Sequence, residues 1–193
     1  MANLHSKTNN HTEAELEYQE VLIILRELVK MNPDEFLSAL ASTLNNLALL
    51  HSKTNKHTEA EKEFQEALKI RRKLAEKNPD AFLSKVAMTL NNIASLHYKK
   101  NKLIEAGTEF QEAFTIYRQL AKKNPDAFLS RVAMTLNNLA ILHREQGLLE
   151  KAKQEAMESL EIYKKFAEIS PEAYDGFVEN VSQLLLDIDG LLK

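Results

Sequence analysis

Asn78-Pro79-Asp80-Ala81-Phe82-Leu83-Ser84-Lys85-Val86-Ala87-Met88-Thr89-Leu90-Asn91-Asn92 returns as Asn124 to Asn138 with a single change, Arg131 for Lys85. Working outward, the step between the two copies is 46 residues, and it governs the whole chain. Pro33, Pro79, Pro125 and Pro171 keep it, as do Asn45-Asn46, Asn91-Asn92 and Asn137-Asn138, and His5, His51, His97 and His143. Leu4 to Glu15 returns as Leu50 to Glu61 except for Lys56 in place of Asn10. A fixed period of this length marks a repeat architecture, in which each unit buries its apolar face against its neighbours.

Each unit reads as two helices. Phe82, Val86, Leu90, Ile93, Ala94 and His97 recur at helical spacing and form one stripe. A polar break, Lys99-Lys100-Asn101-Lys102, precedes a second stripe of Ala106, Phe110, Ala113, Phe114, Tyr117, Leu120 and Ala121. Asn78-Pro79-Asp80 supplies a capping amide, a proline at the first helical position and an acid in the first turn. Thr12 with Glu15, and Thr58 with Glu61, have the spacing of capping boxes. These signals predict eight helices over 12–31, 34–53, 57–77, 79–100, 103–123, 125–145, 148–169 and 171–192. The expected fold is all-α, a right-handed superhelical solenoid of antiparallel helix pairs. It reads as one repeat domain over 1–193: a partial repeat 1–32, full repeats 33–78, 79–124 and 125–170, and a capping helix 171–193. In this register Met1 falls in mid-helix, where Leu47 stands, so the expectation is a segment of a longer array. The last helix carries Val178, Val181, Leu184, Leu185, Ile188, Leu191 and Leu192 without the Asn pair, and Glu172, Glu179, Asp187 and Asp189 supply a polar outer face.

Composition removes several function classes. The chain has 193 residues, 44% hydrophobic and 27% charged, with net charge -3, four glycines, four prolines and no cysteine. Thiolate chemistry and disulfides are therefore excluded. A surface for nucleic acid normally carries a basic excess, which is lacking here. No apolar run approaches the roughly 18 residues of a membrane span, and no leader pattern follows Met1. A cytoplasmic setting is the default.

The order of small and large residues resembles the tetratricopeptide repeat. Leu44-x-x-Leu47-Ala48-x-x-His51 and Ala60-x-x-x-Phe64-x-x-Ala67 follow that family's pattern. Leu90, Ile93, Ala94, His97, Ala106, Phe110 and Ala113 repeat it. Leu136, Leu139, Ala140, His143 and Ala152 begin it again, before Ala156 and Ser159 replace the later aromatic and Ala. The period departs from the family's usual 34 residues and is closer to kinesin light chain style repeats. Histidine also stands where the first helix usually has tyrosine.

The resemblance implies a function as well. In this family the first helices line a concave surface along which partner peptides lie. The candidate groove residues are then Asn45, Leu49, Ser52 and Lys53, then Asn91, Ser95, Tyr98 and Lys99, then Asn137, Ile141 and Arg144. An amide both donates and accepts, and so suits the backbone of an extended peptide. For Asn45, Asn91 and Asn137 two readings stand, groove contact and plain exposure, while Asn46, Asn92 and Asn138 read as buried groups between helices. Lys53, Lys85, Lys99, Lys100, Arg131 and Arg144 make the first helices mildly basic, which favours an acidic partner or is an ordinary solvated face.

The histidine ladder occupies the family's aromatic core position and reads as packed structural residues, with no metal site. Buried neutral rings of this kind would make the stack sensitive to acid. Phosphate loops, nucleophile elbows and metalloprotease motifs are lacking, and the carboxylates, Glu63 and Glu66 among them, read as solvated. The expectation is a non-catalytic protein-binding scaffold with no cofactor, no nucleic-acid partner and no membrane partner. Two alternatives are a module that self-assembles through its terminal helices and a regulatory segment of a larger multidomain protein.

Overall fold

The computed structural model describes residues 11–193. His5 and the expected N-terminal half-helix lie outside the described residues. Those residues form eight α-helices: α1 His11–Met31, α2 Pro33–Lys53, α3 His57–Lys77, α4 Pro79–Lys99, α5 Leu103–Lys123, α6 Pro125–Glu145, α7 Leu149–Ile169 and α8 Pro171–Leu191. Each is 21 residues long, or about 31 Å. Expected and observed ends agree to within one residue. No strand occurs among the described residues.

The helix starts have local causes. Asn78 Oδ1 accepts from the backbone N–H of Ala81 at 3.2 Å, and Asn124 Oδ1 from that of Ala127 at 3.3 Å. Asn32 stands in the same register but donates instead to Glu35 at 2.8 Å, because a glutamate replaces the alanine found at positions 81 and 127. The expected capping boxes do not start their helices: Thr12 and Thr58 lie inside α1 and α3, and Lys56 takes the cap position of α3 without a side-chain capping bond.

The turns explain why. Asn55 (φ 61°), Asn101 (φ 57°) and Gly147 (φ 74°) adopt the left-handed conformation, one per repeat and 46 residues apart. In each turn the next residue's N–H reaches back to the histidine carbonyl: Lys56 to His51 at 2.9 Å, Lys102 to His97 at 2.9 Å and Leu148 to His143 at 2.8 Å. This six-to-one bond with a left-handed residue before it is a Schellman turn, which satisfies carbonyls at the helix end through the backbone. Asparagine tolerates that conformation better than other residues with a Cβ, and glycine adopts it freely.

The chain divides into two compact units, Met1–Leu96 and His97–Lys193, within α4. In the first, Tyr18, Leu22 and Leu25 of α1 pack with Leu40, Leu44 and Leu47 of α2 and Ala67 of α3. Ala48 and Ala60 are fully buried where α2 and α3 cross. In the second, Ala106, Ala140 and Ala152 are fully buried in the same roles, and Val181, Leu184 and Ile188 close α8 onto it. Contacts nest outward from the turn between α6 and α7, His143 with Glu155 and then Ser159 with the Ala133 carbonyl at 2.8 Å, so the pair is antiparallel.

Candidate functional site on the first helices

The first helices α2, α4 and α6 carry the expected binding residues, and their burial corrects that expectation. Asn45 and Asn91 are 2% and 4% exposed, so neither presents its amide to an open groove. The reason is two-sided packing. A first helix meets its own second helix and also the neighbouring repeat, so its buried arc extends past the Leu-x-x-Leu-Ala stripe to take in residue 45. Asn45 Oδ1 accepts from Asn92 Nδ2 at 3.1 Å and from Arg71 Nη1 at 3.4 Å. Asn46, Asn92 and Asn138, expected to be the buried amides, are instead half-buried.

Arg71 organises this part of the first unit. Its Nη1 also donates to the Lys85 carbonyl at 3.1 Å and to Thr89 Oγ1, whose hydroxyl donates in turn to the Lys85 carbonyl at 3.0 Å. A buried guanidinium is tolerated where several acceptors meet it. Sequence reading did not single out Arg71; the visible signal was an arginine at the register that Tyr117 and Tyr163 fill in later repeats.

The remaining candidates are more accessible. In the first unit Leu49 and Lys53 are exposed, while Ser52 and Ser95 are half-buried, the latter donating to the Asn91 carbonyl at 2.8 Å. In the second unit Lys99 is exposed, and Tyr98, Asn137, Ile141 and Arg144 are half-buried. Tyr98 and Arg144 come near one another: burial pushes the Tyr98 hydroxyl up, as does Glu145, and Arg144 opposes them. Arg144 pairs with Glu145 at 3.1 Å and lies 3.6 Å from Asp187 of α8, so part of the expected basic charge is met within the chain.

The histidines are buried, and each has a partner that sequence reading missed. Nδ1 of His51, His97 and His143 lies 2.8, 2.8 and 2.6 Å from a carboxylate oxygen of Glu63, Glu109 and Glu155. His51 Nε2 also lies 3.2 Å from Glu15 of α1. The glutamates stand 12 residues after their histidines in every repeat, a regularity that was available in the sequence. Glu63 is therefore not a solvated carboxylate, and Glu66 binds Arg26 at 2.8 Å. Burial pushes the Glu63 and Glu155 carboxyls up against the opposing pull of their histidines. Glu15 is held below the usual carboxylate range, by Lys56 first and His51 second. Each ladder ring therefore has a carboxylate oxygen against its Nδ1, and none of the three is an isolated buried group. Among the described residues no group of three or more His, Asp or Glu is placed to hold a metal ion, and no helix is long and apolar enough to cross a membrane.

Two family models match this chain, one over residues 85–165 and the other over residues 40–80, and both describe the tetratricopeptide repeat. The chain belongs to the tetratricopeptide repeat family. Its 46-residue unit is compatible with the long, kinesin light chain style variant of that repeat. Among solved structures, BtubC (BKLC) from P. vanneervenii is similar at 24% identity, over 98% of this chain and 73% of that one, with a TM-score of 0.69. MamA is similar at 12% identity over 97% and 92%, with a TM-score of 0.55. The Rap conjugation gene regulator of the plasmid pLS20, solved with the Phr* peptide, is similar at 13% identity over 99% and 52%, with a TM-score of 0.62. Identities this low show the fold alone, the all-α tetratricopeptide solenoid class. Among curated proteins none matches the chain.

Proposed function

We propose that this chain is a non-catalytic scaffold that binds a segment of a partner protein on the exposed parts of its first helices. Membership of the repeat family carries the reading, and a structure of the same fold, the Rap regulator, is solved with a peptide. The accessible side chains fit the task, because Leu49, Ile141 and Tyr98 offer apolar contact beside the cations Lys53 and Lys99. Those cations favour an acidic segment, and Asn137 is the amide of the expected ladder with an accessible edge.

The test is a pull-down with the chain as bait, followed by titration of the captured partner against surface variants. Leu49→Glu with Lys53→Glu, and Ile141→Glu with Lys99→Glu, should each weaken binding by tenfold or more while helicity and melting stay native. Native affinity in both variants would sink the assignment. Changing Asn45 or Asn91 is a poor test, since both are buried.

Self-association is a second reading, favoured by the exposed apolar residues of α1, Val21, Ile23 and Ile24. Light scattering at micromolar concentration decides it: dimers that Ile24→Glu dissolves would support it, and a monomer would remove it.

A further inference from the structure

Helix α1 departs from the other second helices on its exposed side. Leu16 and Ile23 stand where α3, α5 and α7 carry Lys62 and Lys69, Thr108 and Thr115, and Gln154 and Glu161, all six exposed. Leu16 and Ile23 are exposed too, at 57% and 67%. Neighbouring helices do not cover this register: α7 packs against both α6 and α8, and Gln154 and Glu161 stay at the surface. The packing of the repeat therefore has no use for two large apolar side chains there.

Charge departs in the same helix. α1 carries five carboxylates and two cations, against five and six on α3, three and three on α5, and five and four on α7. Glu13, Glu20 and Glu27 are exposed and recur every seven residues, about 10 Å apart along the axis. Leu16, Ile23 and Ile24 lie three or four residues from Glu20 and so surround it on the helix surface. The cations are already engaged, Arg26 by Glu66 at 2.8 Å and Lys30 by Glu27 at 2.7 Å. The register of Glu20 shows what it accepts. Glu66 on α3 and Glu158 on α7 stand at the same register, and each accepts from an arginine of the preceding second helix, Arg26 and Arg118. No side chain among the described residues donates to Glu20.

We propose that the exposed side of α1 docks a basic amphipathic helix of a partner protein, with an arginine on Glu20 and apolar side chains against Leu16, Ile23 and Ile24. A helix fits because the face is a straight stripe of residues at helical spacing, the pattern by which one helix engages another. Charge chooses among the occupants. A second copy of this chain would bring the same row of glutamates, and like charges face to face cost affinity. An anionic membrane surface is repelled for the same reason. A guanidinium takes a carboxylate through two parallel hydrogen bonds, and apolar neighbours that exclude water strengthen the pair. This surface is separate from the first helices, so either site can fail while the other stands.

The test is fluorescence anisotropy of a labelled peptide, three copies of Leu-Gln-Ala-Arg-Ala-Gln-Leu, titrated with the full chain. That heptad sets a row of arginines between two apolar rows, the complement of α1. A version with glutamate for every arginine, and one with the same residues in scrambled order, serve as comparisons. The native chain should bind the arginine peptide at least tenfold more tightly than either, and raising salt to about 0.3 M should weaken that binding severalfold. Leu16→Thr with Ile23→Thr, which installs the residues of α5, should weaken it about tenfold while melting stays native. Glu20→Lys should do the same and flatten the salt dependence. Equal binding of the arginine and glutamate peptides overturns the proposal, as does native affinity in the threonine variant. Loss of the peptide on the Leu49→Glu, Lys53→Glu variant would place it on the first helices and overturn it too. Sedimentation of the chain alone tests the other occupant. A monomer is expected, and a dimer that the threonine variant dissolves would assign the face to a second copy and end the proposal.

Discussion

Helices α1 and α8 occupy opposite kinds of position in the repeat register, and their surfaces differ accordingly. On α1, Val21 and Ile24 are 41% and 58% exposed, although the residues in the register of Val21 on α3, α5 and α7, Ala67, Ala113 and Ser159, are fully buried. On α8, the positions that hold Ala133, Leu136, Ala140 and His143 in α6 hold Glu179, Ser182, Leu186 and Asp189. Glu179 is exposed, and Asp189 pairs with Lys153 at 2.7 Å. The backbone plan of each kind is kept at both, each 21 residues long, α1 begun in the register of α3, α5 and α7 and α8 in that of α2, α4 and α6. Register therefore sets the helix, and the neighbours that a face must meet set its side chains. Where a face has a neighbouring helix, position 140 must be small; on α8 the same position carries a leucine that is 65% exposed.

The largest effect should separate core from face most sharply. Phe64→Ala empties a fully buried site and should cost about 3–5 kcal/mol in urea denaturation, whereas Ile24→Ala on α1 should change stability by no more than about 0.5 kcal/mol. A comparable loss at Ile24 would mean that its face is covered in solution. Next, Ala140→Leu should overpack the helix crossing and cost about 1–3 kcal/mol, while Leu186→Ala at the same register should be nearly neutral. Equal costs would break the argument that packing, and not register, demands the alanine. In the turns, Asn101→Ala should lose about 1 kcal/mol at its left-handed position, and Asn101→Gly should lose none, as Gly147 already suggests.

The smallest effect is in pH. Glu15 is held low in the fold, so its stabilising contribution is present above the unfolded carboxylate value of about 4.3 and disappears as pH falls through the folded one. Glu155 is pushed up by burial, so its ionised form is disfavoured in the fold, and its contribution improves as pH falls through that raised value. Urea midpoints for Glu15→Gln and Glu155→Gln, taken at neutrality and near pH 4, should therefore diverge from native in opposite directions. The native advantage over Glu15→Gln should shrink on acidification. The native chain should gain relative to Glu155→Gln.

Much of this was legible in the residues. The prolines, the paired asparagines and the 46-residue step gave helix ends to within one residue, because proline geometry and apolar spacing are local properties. The buried asparagine of the first two pairs was misread by one position. Moving from Asn46 to Asn45 turns about 100° around a helix, and only the second packing neighbour decides which of the two is covered. The histidine–glutamate pairs escaped for a related reason. His51 and Glu63 meet across a turn whose closure depends on a left-handed asparagine, so the contact follows from the reversal of the chain and not from either helix alone.

The uniform helix length has a consequence for how such a chain can change over time. One residue inserted within any helix would swing every later side chain around the axis and carry the crossing alanines out of contact. Length can therefore vary freely only at the three-residue reversals or by copying a whole pair of helices at once. The near identity of Asn78–Asn92 with Asn124–Asn138 is the trace that the second route would leave. Lineages of this protein should differ by entire units and by single substitutions, seldom by anything between.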